Sequence, residues 1–202
     1  MSRETFASAA TAFAALVHDI PASKWDGPGL GEWDLRSLVG HTSRSLITVS
    51  TYVRTTAERE DLAGPAEYYV YARAFASEAG AQAVTERGRQ AGRDLGSDPA
   101  ATVDHLVVRA LDDLDAVDDP LIAVIGGLGI RLSSYLPTRT FEMAVHGLDI
   151  ARATGVDFAV PEEVLVEAAV LATRVGVALG QGATVLSAFT GRTALPTAFS
   201  VV

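Results

Sequence analysis

The sequence of 202 residues contains no cysteine, and this absence removes several classes of site at once. A disulfide scaffold, a thiolate metal site and a cysteine nucleophile are all excluded. Any thiol chemistry would therefore need a thiol that a small-molecule cofactor supplies. The absence of disulfides agrees with a cytoplasmic location, which is our expectation.

Positive charge and long apolar runs are also scarce. The net charge is −9, which argues against a nucleic-acid partner because phosphate backbones bind basic surfaces. The longest apolar run, 121–130, is too short and too rich in glycine to cross a membrane, so we expect no membrane partner. With 49% hydrophobic and 20% charged residues, the chain has a globular composition, and we predict a single domain over 1–202.

Apolar residues recur at helical spacing along most of the chain, which predicts an all-α protein. Helices are expected over about 3–18, 35–59, 65–92 with a break at Gly80 or Gly88, from Pro99 onward, 134–153 and 162–179. Residues 121–132 differ, because their central Gly126 and Gly127 favour a short hairpin or an extended crossing segment. Asp34 is predicted to cap the second helix and Gly155 to end the one over 134–153. Amphipathic helices with short connections predict a helical bundle.

The most informative pair in the chain is Glu142 and His146, four residues apart. On a helix both side chains leave the same face about one turn apart, where a carboxylate and an imidazole can share a divalent metal. A third ligand has to come from elsewhere, and His41 is the best candidate because it lies beside the core-facing stripe of the second helix. Two histidines and one carboxylate suit zinc, nickel, iron or manganese and leave positions open for water or substrate.

The residues alone leave plainer interpretations open. A glutamate and a histidine at this spacing often form only a pair on a helix surface. Asp149, one turn beyond His146, is either an acceptor that orients the imidazole or an exposed carboxylate near a helix end. Arg139, on the same face, either holds an anionic substrate or a thiol cofactor through bidentate contacts, or is solvated.

Two residues near the first histidine are given structural roles. Arg44 follows His41 by three positions, and we favour a solvated side chain for it. Trp33 is expected to pack just ahead of the second helix as a large apolar anchor.

Three segments resemble parts of a known superfamily. Residues 32–41, which contain Trp33 and His41, resemble the opening of the second helix in DinB-like proteins. Residues 139–151, with the pattern Arg-x-x-Glu-x-x-x-His-x-x-Asp-x-Ala, resemble the mycothiol-dependent maleylpyruvate isomerase N-terminal domain, a branch of the DinB/YfiT-like superfamily. Residues 190–196 resemble the end of that branch, so the resemblance spans most of the chain.

The resemblance implies a DinB/YfiT-like four-helix bundle with extra short helices, and a metal held by His41, Glu142 and His146. It also implies mycothiol or a related low-molecular-weight thiol as a partner, which agrees with a chain that lacks cysteine. A divalent metal, zinc before nickel, would lower the pKa of that thiol, which then adds to an electrophilic small-molecule substrate. The chain would be a transferase or an isomerase. The isomerase carries a further C-terminal domain that this sequence does not show, so maleylpyruvate isomerisation itself is not expected.

Two other hypotheses stay open at this point. The chain is then either a metal-binding or small-molecule-binding module without catalysis, or a bundle whose polar cluster only sets the register of its helices. We also keep a homodimer as a hypothesis for the oligomeric state.

Overall fold

Almost all regular structure in the protein is helical, as the apolar periodicity predicted. A computed structural model describes residues 2–201, without the side chains of residues 78, 79 and 81. Its helices are α1 Ser2–His18, α2 Leu35–Tyr52, α3 Pro65–Ala79, α4 Ala81–Asp94, α5 Pro99–Asp115, α6 Leu132–Thr154, α7 Glu162–Ala178 and α8 Gly182–Phe189. Two short strands, β1 Leu121–Ala123 and β2 Gly129–Arg131, pair as an antiparallel hairpin between α5 and α6.

Four of the helices form a bundle, because α1 and α2 each contact both α5 and α6. Their apolar stripes meet inside it and bury large side chains completely, among them Phe6, Phe13, Leu38, Leu46 and Tyr135. The remaining helices pack outside this core: α4 on α2, α3 on α6 and α7, and α7 on α6. The all-α fold with a short hairpin is therefore confirmed.

The short-range signals placed most helix ends correctly. The Asp34 side chain accepts a hydrogen bond from the backbone N–H of Ser37 at 2.7 Å and so caps α2. Gly155 adopts a left-handed conformation with φ of 77° and ends α6. The break in the third helical region falls at Gly80, whose φ is 84°.

The predicted end of the second helix at Arg59 is wrong, because α2 ends at Tyr52. The chain leaves the helix there and runs along the hairpin. The Thr55 hydroxyl lies 2.9 Å from the carbonyl oxygen of Ala123 and 2.7 Å from that of Tyr52. The backbone N–H of Ala57 donates to the carbonyl oxygen of Leu121 at 3.2 Å. A threonine side chain that bonds to backbone in this way competes with helix continuation.

The sequence analysis missed α8. This helix has only eight residues, which is too short a window for helical periodicity to be recognised. No helix within residues 2–201 is long and apolar enough to cross a membrane.

A close helix crossing positions α4 against α2. A Cβ atom on Gly40 would lie 2.3 Å from the backbone nitrogen of Gly92, and a Cβ on Gly92 would lie 2.9 Å from the backbone of Arg36. Glycine at both positions therefore lets the two backbones approach each other. The crossing brings α4 beside the segment of α2 that carries His41.

Candidate metal centre

The three predicted ligands meet between α2 and α6. One donor atom from each of His41, Glu142 and His146 lies within 4.8 Å of the other two. The imidazole Nε2 of His146 is 3.3 Å from Oε2 of Glu142, and the rings of the two histidines meet edge to face with centroids 5.2 Å apart. The side chains of Glu142 and His146 are only 20% and 15% exposed, so the pair is not a solvated pair on a helix surface.

Glu142 uses its two carboxylate oxygens differently. Oε2 faces His146, whereas Oε1 accepts a hydrogen bond from the Tyr69 hydroxyl at 2.6 Å. That hydroxyl is also 3.0 Å from the carbonyl oxygen of Thr138, but the shorter contact and the charge favour the carboxylate as its acceptor. Tyr69 comes from α3, and no sequence signal connected it to this site.

Asp149 lies against the far side of the His146 ring. Its Oδ2 is 3.3 Å from Nδ1 of His146, and its Oδ1 is 3.4 Å from a guanidinium nitrogen of Arg152. The aspartate is 15% exposed, so the interpretation as a fully exposed carboxylate at a helix end does not hold. A carboxylate at this position can hold the imidazole in one tautomer and orientation.

The first histidine is held by a tryptophan. The ring of Trp33 lies 4.5 Å from that of His41, and its indole N–H donates to the carbonyl oxygen of Thr85 on α4 at 2.9 Å. Trp33 also approaches Gly88, where a Cβ atom would lie 2.5 Å from the indole ring. Trp33 is thus an anchor, as expected, and it also supports a predicted ligand. Within the described residues, the Nδ1 atom of His41 is buried and has no hydrogen-bond partner.

The local electrostatics hold these groups in different protonation states. Burial, together with the charge of His146, lowers the pKa of His41 to about 4. Burial alone would lower the pKa of His146, but the hydrogen bonds with Asp149 and Glu142 outweigh it and raise that pKa to about 9. For the carboxyl group of Glu142, burial would raise the pKa, but the hydrogen bond from His146 and the charge of Arg139 lower it to about 2. At neutral pH the site therefore contains a neutral imidazole beside an imidazolium–carboxylate pair.

Arg139 lies beneath the site, between two tyrosines. Its guanidinium carbon is 5.0 Å from the ring centre of Tyr135 and 5.4 Å from that of Tyr68, and its Nε donates to the Thr138 hydroxyl at 3.0 Å. Cation–π contacts of this kind hold a guanidinium in place without a carboxylate. The side chain is therefore partly buried and ordered by its neighbours. Its binding of an anionic substrate or thiol stays a prediction.

Comparison with known proteins adds one match. Residues 6–151 match the family model described as the mycothiol maleylpyruvate isomerase N-terminal domain. The match covers α1 to α6 almost completely and includes all three residues of the proposed ligand set. No curated protein and no solved structure matches the chain.

Proposed function

Because the chain belongs to the family of mycothiol maleylpyruvate isomerase N-terminal domains, we propose that it binds one divalent metal ion through His41, Glu142 and His146. Zinc is our first expectation for the metal and nickel the second. The observation that carries the proposal is the convergence of these three donor atoms, within 4.8 Å of one another, from helices far apart in the sequence. When bound, the metal would supply the positive charge that lowers the pKa of a small-molecule thiol.

The donor set fits such a metal. Donor atoms around one tetrahedral zinc lie roughly 3.3 Å apart, given bonds of about 2.0–2.1 Å. The contact between Glu142 and His146 has this length, 3.3 Å, and all three donor atoms lie within 4.8 Å of one another. The buried Nδ1 of His41 has no other partner among the described residues, and an unpaired polar atom of this kind calls for an explanation. Three protein ligands leave a coordination position for a substrate, as catalytic sites require.

The surrounding residues would prepare this centre. Tyr69 keeps Oε1 of Glu142 occupied and thereby turns Oε2 toward the histidines. Asp149 keeps Nδ1 of His146 occupied and thereby presents Nε2. The indole of Trp33 covers one side of His41 and restricts its rotation.

We infer that the thiol is mycothiol or a related low-molecular-weight thiol, because the family description names mycothiol and the chain has no cysteine of its own. In the proposed reaction the thiol gives its proton to solvent, and the thiolate adds to an electrophilic carbon of an activated double bond in a small molecule. The π bond of that double bond breaks, and the electron-withdrawing group of the substrate holds its electron pair until a proton from solvent is added or the thiolate leaves again. A thiol that stays attached makes the chain a transferase, and one that is expelled after bond rotation makes it an isomerase.

The first experiment measures metal content and affinity. Protein purified without chelators should contain about one divalent ion per chain, the load of a single three-ligand site. Substitution of His41, Glu142 or His146 by alanine should remove most of the affinity for zinc in a calorimetric titration. His18→Ala is the matched control, because His18 pairs with Asp104 on the surface at 2.8 Å. A metal-free protein whose melting temperature ignores zinc and nickel would instead support a polar cluster that only sets helix register.

The second experiment tests catalysis. The metal-loaded protein is incubated with mycothiol, bacillithiol or glutathione and a panel of electrophiles, and thiol consumption is followed. Turnover that disappears in Glu142→Ala would support the enzyme. Metal binding without turnover across the panel would support the alternative of a binding module without catalysis.

A further inference from the structure

A cavity opens directly beside the proposed metal centre. It has a volume of about 360 Å³, and its lining includes His41 and Tyr52 together with Arg44 and Arg87. We call it the arginine cavity. Arg44 comes from α2 and Arg87 from α4, so the close crossing of these helices is what brings the two guanidinium groups to one opening. Arg44 is half-buried and lines this cavity, which adds a candidate ligand contact to the solvated role that we favoured for it.

Both arginines lack a counter-ion within the part of the chain that the structure describes. The acidic residue nearest to Arg87 in the sequence, Glu86, is engaged instead by Arg89 and by Arg93, the latter at 2.7 Å. A guanidinium presents its donors in a rigid fork that matches a carboxylate or a phosphate. In a protein with a net charge of −9, two such unpaired groups at one opening create a local preference for an anion.

A second depression adjoins the first across α4. It has a volume of about 570 Å³ and is lined mainly by apolar groups, including Leu30, Trp33, Ala76 and Val84. We call it the tryptophan groove. Val84 lines both depressions, and Trp33, which forms part of the groove, also stacks on His41. The two spaces together have the size and mixed lining of a small-molecule site.

We propose that this chain binds an amphipathic anion, with its acidic head in the arginine cavity beside the metal centre and an apolar tail of several carbons in the tryptophan groove. This orientation follows from charge, because Glu32 lines the groove and would repel an anion there. The inference rests on the proposed function in one respect: it takes the metal centre as the place where the bound molecule reacts. The new element is the chemical class of that molecule: it carries an apolar tail as well as an acidic head, which excludes a short dianion.

The test uses octanoate as the probe and tryptophan fluorescence as the readout. The chain has two tryptophans, so Trp25→Phe leaves Trp33 in the groove as the single reporter. Octanoate should bind more tightly than 1-octanol, which lacks the charge, and more tightly than maleate, which lacks the tail. Affinity should rise about threefold to fourfold for each methylene from butyrate to octanoate, as expected for burial of a methylene. Octyl phosphate distinguishes a phosphate head from a carboxylate head.

Matched variants separate the two halves of the site. Arg44 is half-buried, so Arg44→Gln should weaken octanoate binding about tenfold, the loss of a hydrogen bond to a charged group. Arg87 is exposed, so Arg87→Gln should weaken it about twofold to fivefold, as expected for an exposed ion pair. Arg174→Gln, which removes the same charge from α7, should leave binding unchanged. Val84→Thr keeps the side-chain volume but adds a hydroxyl to the groove. It should reduce the gain in affinity for each methylene from butyrate to octanoate.

The outcomes distinguish this inference from the metal proposal. Each titration is run with zinc and again with a chelator. If octanoate binds more tightly than 1-octanol and maleate in the presence of the chelator, the inference is supported even if no zinc binds. Zinc that binds at one equivalent while octanoate binds no better than octanol or maleate overturns this inference alone. Unchanged octanoate affinity in both arginine variants would overturn it as well.

Discussion

Replacing Tyr69 by phenylalanine removes one oxygen atom from the site and leaves the ring in place. The lost hydroxyl donates to Oε1 of Glu142 at 2.6 Å, and burial raises the pKa of Tyr69 well above its usual value, so the group is a permanent donor. Without it, only the contact of Oε2 with His146 orients the carboxylate, so the direction of Oε2 is less firmly fixed. The ring keeps its edge-to-face contact with Phe141, whose centroid is 5.2 Å away.

The size of the effect follows from the exposure of Glu142. A hydrogen bond to a charged group contributes about 1.5–3 kcal/mol. Glu142 is 20% exposed, so water can replace part of the lost bond, and we take the lower end of that range. About 1.4 kcal/mol corresponds to a tenfold change in a binding constant. We therefore expect Tyr69→Phe to bind zinc about tenfold more weakly, which lies at the lower end of the range of about 10-fold to 100-fold for residues that orient metal ligands.

The assay is a zinc titration by competition with a chelator of known affinity, at constant pH. Tyr68→Phe is the matched control, because Tyr68 is the adjacent residue of α3, is buried to a similar degree and makes no hydrogen bond through its hydroxyl within the described chain. Circular dichroism before and after the titration checks that both variants keep their helical content. Equal or tighter zinc binding in Tyr69→Phe than in Tyr68→Phe would refute the orienting role.

Three further predictions concern the neighbours of the proposed ligands. Asp149→Ala should weaken zinc binding by about tenfold to a hundredfold, because the His146 ring loses its acceptor, and unchanged affinity in a chelator competition would discard that role. Zinc binding near pH 7.5 should release about one proton, because the pKa of His146 in the metal-free protein is raised to about 9 and the pKa of His41 is lowered to about 4. The apparent affinity for zinc should then fall about tenfold for each unit that the pH drops below 9, until Glu142 or His41 titrates. Calorimetry in two buffers with different ionisation enthalpies measures the number of protons released. Zinc binding without proton release would contradict a protonated His146 in the metal-free protein. Gly88→Ala should lower the melting temperature. The overpacking against Trp33 costs about 1–3 kcal/mol, whereas the gain in helix propensity is at most about 1 kcal/mol. A higher melting temperature would show that the indole moves aside freely.

The helix ends show how far local signals reach. Asp34 and Gly155 were correctly predicted as helix boundaries, because capping and a left-handed C-terminal residue depend only on the nearest few residues. The end of α2 was not, because it is set by hydrogen bonds from Thr55 and Ala57 to a hairpin more than sixty residues away in the chain. Short elements such as the eight-residue α8 offer too few residues for a periodic pattern to be recognised.

The same division applies to the candidate site. The spacing of Glu142 and His146 predicted that both side chains leave one face of a helix. The place of His41 beside the core-facing stripe of the second helix made it the best third candidate, and the family resemblance supported it. Tyr69 could not be predicted, because its contact with Glu142 depends on how α3 packs against α6. That Arg44 lines a cavity could not be predicted for a similar reason, since its place there depends on the crossing of α2 and α4.

By itself, the amino-acid sequence determined an acidic, cysteine-free, all-α protein with two histidines and a glutamate in a recognisable order, because composition and helical periodicity are properties of neighbouring residues. Only the tertiary structure decided that the three donor atoms meet within 4.8 Å, that a tyrosine and an aspartate contact two of the proposed ligands, and that two arginines border the same opening. The physical reason is that these contacts join different helices, or depend on the burial that helix packing creates. Their distances follow from interlocking side chains and from glycines that admit close backbone approach, which no local pattern encodes.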